Sequence, residues 1–129
     1  MNPKLINSVS LAYIGDAVYE LFIREYLITH GKIQSGELHK RAIQFVTAKA
    51  QARIVQQWLS DGTLSEEEER VVKRGRNAKS GAAPKHTSIQ AYRYSTGFES
   101  LLGYLHISEE HDRTEELMKK AIQYIESEM

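Results

Sequence analysis

Residues 11–22 read Leu-Ala-Tyr-Ile-Gly-Asp-Ala-Val-Tyr-Glu-Leu-Phe. Leu11, Ile14, Val18, Leu21 and Phe22 recur at spacings of three and four. This is the stripe of an amphipathic helix, not the alternation of a strand. Outward from it, Asn2-Pro3 sets an N-cap before a proline at the first helical position. The periodicity predicts a helix running to about His30, with Gly31 as its stop. Ser35 is expected to cap a second helix through Leu38, Ala42 and Phe45, bent or broken at Phe45-Val46-Thr47. A third helix over 48–60 carries Ile54, Val55, Trp58 and Leu59, and Gly62 follows it. Ser65 and Glu68 form a capping box, and Glu66 to Glu69 fill the positive first turn of the next helix. Residues 75–86 have no apolar period and read as a loop. Thr87 with Gln90 is expected to open a helix through Tyr92, Phe98, Leu101, Leu102 and Leu105. Ser108 is expected to begin a last helix bearing Leu117, Met118, Ala121, Ile122 and Ile125. No alternating stretch of useful length and no internal repeat is present. The expectation is an all-α fold, with residues 1–129 forming a single domain.

Composition bounds what such a bundle can do. A chain of 129 residues is one domain's worth and buries enough surface to fold without staples. It has no cysteine, which excludes a disulfide framework, a thiolate nucleophile and cysteine-held zinc or iron–sulfur sites. No stretch approaches the ~18 consecutive apolar residues of a membrane span. No membrane partner is expected, and the expected location is the cytoplasm. The net charge of zero conceals a segregation. Residues 59–69 hold five acids and no base, residues 70–93 seven bases and no acid, and residues 109–129 seven acids and three bases. Phosphate binding responds to the local field, so the basic block is a nucleic-acid candidate despite the neutral total.

The chemistry left to the chain is that of carboxylates. The five histidines show no metal-ligand spacing, and neither a glycine-rich phosphate loop nor a serine-hydrolase pattern occurs. Asp16 lies in the apolar stretch between Leu11 and Phe22, and Glu99 lies between Phe98 and Leu101-Leu102. A carboxylate among apolar neighbours is costly to bury unless it binds a cation or accepts hydrogen bonds. Residue types alone leave each open as a metal or catalytic carboxylate, or as a salt-bridged helix residue. Glu20, one turn beyond Asp16, has an ordinary partner in Arg24 at i+4.

Leu11 to Glu20 resembles the signature helix of the ribonuclease III family. Phe98-Glu99-Ser100-Leu101-Leu102-Gly103 is similar to that family's second acidic motif. Arg74-Gly75-Arg76-Asn77-Ala78-Lys79-Ser80 and Tyr92-Arg93-Tyr94-Ser95-Thr96 resemble its short bacterial branch, Mini-ribonuclease III. The resemblance implies the all-helical ribonuclease III endonuclease fold and a homodimeric, metal-dependent endoribonuclease for double-stranded RNA. It implies maturation of the large-subunit (23S) ribosomal RNA precursor, leaving 5′-phosphate and 3′-hydroxyl ends. Asp16 and Glu99 match the catalytic, metal-holding carboxylates, with Mg2+ as cofactor and Mn2+ able to substitute. Two further acidic positions of larger relatives carry Ala12 and Thr96 here. The separate double-stranded-RNA-binding domain of larger members is not expected. The RNA grip then falls to loop 73–86, through Lys73, Arg74, Arg76, Asn77, Lys79 and Lys85. Lys40, Arg41, Lys49 and Arg53 are a second candidate patch. A large-subunit ribosomal protein presenting the substrate is a further expected partner. The alternative is a non-catalytic, ribosome-associated RNA-binding protein of the same fold. A helical protein-interaction module is a third reading.

Overall fold

The computed structural model describes residues 1–31, 34–79 and 81–129, and among them every regular element is helical. Six α-helices follow in order: α1 (Ser8–His30), α2 (Leu38–Val46), α3 (Ala48–Asp61), α4 (Glu66–Asn77), α5 (Ile89–Ile107) and α6 (His111–Ser127). Short 3-10 turns at Pro3–Leu5 and Ser35–Glu37 precede α1 and α2. The central helix is α5, buried almost continuously from Ser95 to Leu105. Helices α1, α3 and α4 pack directly on it. The core forms around it from Tyr19, Phe98, Trp58, Leu101, Leu102 and Leu117. Phe98 takes the edge of Tyr19 at 4.9 Å and stacks on Trp58 at 5.5 Å between ring centres.

Local chemistry sets most helix ends. Ser65 and Glu68 form the expected reciprocal capping box at the start of α4. Thr47 breaks the chain between α2 and α3 and caps α3 through its side chain. Gly62 ends α3 in the left-handed conformation, with φ of 77°. Arg113 on α6 holds both Glu68 oxygens, at 2.9 and 2.8 Å, and the Thr63 carbonyl at 2.8 Å. The guanidinium keeps the Glu68 carboxyl below its usual range.

Other expectations shift. Asn2 caps only the 3-10 turn; α1 starts at Ser8, and Asn7 is its cap. Helix α4 continues through Gly75, Arg76 and Asn77, so the loop starts at Ala78 rather than Gly75. Ser80, within that loop, lies outside the described residues. Ser88, not Thr87, caps α5, its hydroxyl accepting from the Ala91 amide, one turn in. Ser108 is the C-cap of α5, and α6 begins at His111. The buried residues of α1 are Leu11, Ala12, Gly15, Tyr19, Ile23 and Leu27, together with Ser8 in its first turn, whereas Leu21 is 60% exposed. The apolar stripe read from sequence lies on one flank of the packed face, because the face itself runs through Gly15.

Candidate active site

Helices α1 and α5 touch backbone to backbone. A Cβ at Gly15 would collide with the Glu99 carbonyl oxygen and stand 2.9 Å from the Gly103 nitrogen. A Cβ at Gly103 would collide with the Leu11 carbonyl and stand 3.1 Å from the Gly15 nitrogen. Only glycine at both positions lets the axes come this close. The buried Ser100 hydroxyl donates to the Ser8 carbonyl at 2.8 Å, tying α5 to the first turn of α1. Asp16 follows Gly15, and Glu99 is itself the residue Gly15 touches. The crossing therefore brings the two sequence-predicted carboxylates together.

The environment of this pair is acidic and partly dry. Glu99 is half-buried, whereas Asp16 is exposed; the apolar neighbours of both suggested burial, and only Glu99 meets it. Burial pushes the Glu99 carboxyl up to about 8, and a hydrogen bond shared with Asp16 and the Asp16 charge add to the rise. The Glu20 charge pushes the same way. Glu20 also has its ordinary partner, Arg24, at 3.5 Å. One donor favours ionised Glu99: Gln51 Nε2, 3.3 Å from Oε2. Such an acidic pair fits a hard divalent cation, which needs oxygen ligands and retains several waters. Among the described residues no three His, Asp or Glu side chains converge on one point, so two carboxylates are what this pair could offer a cation. Ala12 is 7% exposed, and buried Thr96 spends its hydroxyl on the Tyr92 carbonyl at 3.0 Å. Neither adds a ligand.

The basic residues divide. Gly97 and Gly75 make the second close helix contact: a Cβ at Gly97 would stand 2.6 Å from the Val72 carbonyl, and one at Gly75 2.6 Å from Ser100 Oγ. This holds the basic end of α4 beside the helix that carries Glu99. There Arg76 stacks over Tyr94 at 5.6 Å and reaches Asn77 at 3.2 Å. Lys73 pairs with Glu69 at 3.9 Å. Arg74, Lys79 and Lys85 are exposed. Arg74, Asn77 and Lys79 line an open cleft with Lys4, Ser8 and Ser10 from the start of the chain. In the second patch, Arg53 pairs with Glu128 and Arg41 lies against Met129, while Lys40 and Lys49 are exposed. Sequence reasoning missed Gln51 and Lys4. The burial of Gln51 had a signal, its i+3, i+4 and i+7 register with Ile54, Val55 and Trp58, but its partner Glu99 had none; Lys4 had none either, because its place in the cleft is set by folding.

Known proteins resemble the chain over nearly its whole length. Residues 9–110 match the family model described as "Ribonuclease III domain". The chain is 47% identical to the Mini-ribonuclease 3 of Enterococcus faecalis over 95% of its own length and 92% of the relative's. It is 45% identical to that of Streptococcus pneumoniae over 98% of both. A crystal structure of a Fusobacterium nucleatum protein superposes with a TM-score of 0.81 at 26% identity, covering 92% of this chain and 93% of that one.

Proposed function

This chain belongs to the ribonuclease III family, as an endoribonuclease of its Mini-ribonuclease 3 branch, and on that premise we propose that Asp16 and Glu99 are its catalytic, metal-holding carboxylates. The observation that carries the assignment is the Gly15–Gly103 crossing, which sets these two acids side by side. The family acts on double-stranded RNA with a divalent metal ion. The ion assigned here is Mg2+, with Mn2+ able to substitute. When bound, it supplies charge stabilisation at the scissile phosphate and an acidified water as nucleophile. Glu99 and Asp16 would hold it through their carboxylate oxygens, which requires Glu99 in its ionised form. Ala12 and Thr96, at the positions where larger relatives carry acids, offer no carboxylate to it.

The substrate is assigned as the large-subunit (23S) ribosomal RNA precursor, cut to leave 5′-phosphate and 3′-hydroxyl ends. The support is the likeness to Mini-ribonuclease 3 proteins over nearly the whole chain. Two sites related by a homodimer axis would cut the two strands. Lys73, Arg74, Arg76, Asn77, Lys79 and Lys85 are assigned to the RNA backbone, since A-form RNA is gripped through phosphates and 2′-hydroxyls. Lys40, Arg41, Lys49 and Arg53 are secondary, two of them being engaged by the C-terminal residues. A large-subunit ribosomal protein is the partner assigned to present the substrate.

The test is cleavage of a precursor transcript by purified protein, with magnesium and with chelator, followed by mapping of the product ends. Asp16→Asn and Glu99→Gln should each abolish cleavage while RNA binding persists, because an amide keeps the shape and loses the charge. Multiple-turnover cleavage by Asp16→Asn would overturn the assignment.

A further inference from the structure

The break between α2 and α3 leaves the last carbonyls of α2 without intrahelical partners. Two side chains from other elements take them. The buried Tyr19 hydroxyl on α1 donates to the Phe45 carbonyl at 3.0 Å. Gln51, in the first turn of α3 and 2% exposed, donates from Nε2 to the Val46 carbonyl at 3.2 Å. The same Nε2 donates to Glu99 Oε2 at 3.3 Å. Both partners are acceptors, so the amide nitrogen must face them. That orientation leaves Gln51 Oε1 buried with no hydrogen-bond partner. An unpaired buried carbonyl is unfavourable. Capping Val46 alone needs one hydrogen; the second hydrogen goes to Glu99.

We propose that Gln51 is a positioning residue of the active site, an amide held by the α2 terminus that fixes Glu99 Oε2 for the divalent cation shared with Asp16. The inference rests on the assignment of Glu99 as a cation ligand. It adds a third helix to the site: α1 supplies Asp16, α5 supplies Glu99, and α3 supplies the group that orients Glu99. The break at Thr47 acquires a role, because it exposes the carbonyl that fixes the amide.

The test measures Mn2+ binding to RNA-free protein by calorimetry, alongside steady-state cleavage. Gln51→Met keeps the volume and removes both donors. It should weaken Mn2+ about 10–100-fold and lower kcat by a similar factor, the usual cost of losing a group that orients a ligand. KM for RNA should hardly move, since Gln51 is buried and offers RNA no accessible surface. Tyr19→Phe removes the companion cap at Phe45 and should leave Mn2+ affinity unchanged. In a Glu99→Gln background, Gln51→Met should cause no further loss of affinity; an additive loss would mean that Gln51 does not act through Glu99. Parent-like Mn2+ affinity in Gln51→Met, with weakened affinity in Glu99→Gln, would overturn the inference and leave Glu99 a ligand. Parent-like affinity in Glu99→Gln would instead overturn the assignment beneath it. Should Gln51→Met fail to fold by circular dichroism, Gln51→Asn is read in its place. Its amide is one methylene too short to reach both partners, and the same outcomes decide.

Discussion

Glu99 carries a cost that a bound cation would remove. Its carboxyl is raised from 4.5 to about 8, by burial first and by Asp16 second. Between those values the folded protein holds a proton that the unfolded chain releases. Stability of the cation-free protein therefore falls as pH rises from about 4.5 to about 8 and levels off above. The size is on the order of a few kcal/mol, since each tenfold change in proton affinity is worth about 1.4 kcal/mol. Other groups titrate in this range too, so the contrast with a variant that lacks the carboxylate isolates the effect. In chelator, the melting temperature of Glu99→Gln should overtake the parent's progressively from pH 5 to 8, and added magnesium should restore the parent. A difference that is flat with pH would show that Glu99 is not held in this way. The same residue scale accounts for Ala12 and Thr96. One offers only a methyl group and the other a hydroxyl already used, so a cation held at the proposed site would meet fewer protein oxygens than in a four-carboxylate site.

At the level of elements, the α1–α5 crossing does the positioning. Alanine normally stabilises a helix over glycine by roughly 0.5–1 kcal/mol. At Gly15 the added methyl would meet the Glu99 carbonyl, a backbone atom that cannot rotate aside. Overpacking of this kind costs about 1–3 kcal/mol or more, so the clash outweighs the propensity. Gly15→Ala should lower the melting temperature and reduce cleavage by spreading Asp16 from Glu99. Gly36→Ala, whose Cβ would meet nothing within 4 Å, is the control and should change neither. A Gly15→Ala protein with parent stability and activity would show that the helices need not touch. The other side of α1 carries a stripe of exposed apolar residues: Val9 at 41%, Tyr13 at 83%, Leu21 at 60% and Ile28 at 66%. This run is a candidate contact face for the second copy that a homodimer of the family's kind would bring. Tyr13→Glu with Leu21→Glu should sediment at the 14.7 kDa chain mass while the parent sediments at twice that. Parent and variant sedimenting alike would move the interface elsewhere.

For the molecule as a whole, charge is neutral in sum and divided in space. The seven bases of residues 70–93 sit along α4, in the following loop and at the start of α5, the helix of Glu99, while residues 109–129 hold seven acids against three bases. RNA affinity should fall steeply with salt, since each phosphate contact releases counterions. Changing Arg74, Arg76, Lys79 and Lys85 to alanine should flatten the slope by up to about one unit per lost contact. Folding should change little, because Arg74, Lys79 and Lys85 are exposed charges that contribute little to stability, and loss of the Arg76–Tyr94 stacking costs only about 0.5–1 kcal/mol. Excess variant at low salt should still cleave, since Asp16 and Glu99 are intact. Binding and cleavage equal to the parent across a salt series would shift the RNA to the patch of Lys40 and Lys49.

The sequence by itself determined the helical class and most boundaries, because these are local matters. The capping box at Ser65 and Glu68, the break at Thr47 and the left-handed Gly62 depend on residues a few positions apart. It also singled out Asp16 and Glu99, because ionised groups among apolar neighbours are conspicuous in any sequence. Tertiary structure alone decided which face of α1 is buried. The packed stripe from Leu11 through Gly15 to Tyr19 contains a residue with no side chain, so hydrophobic periodicity settled on its flank and counted Leu21 as core. Tertiary structure also decided that Glu99, rather than Asp16, is the desolvated partner, since α3 covers one and solvent reaches the other. The reach of Gln51 to Glu99 was equally invisible. It requires three helices distant in sequence to meet, and a hydrogen bond across that distance leaves no trace in the local pattern of any of them.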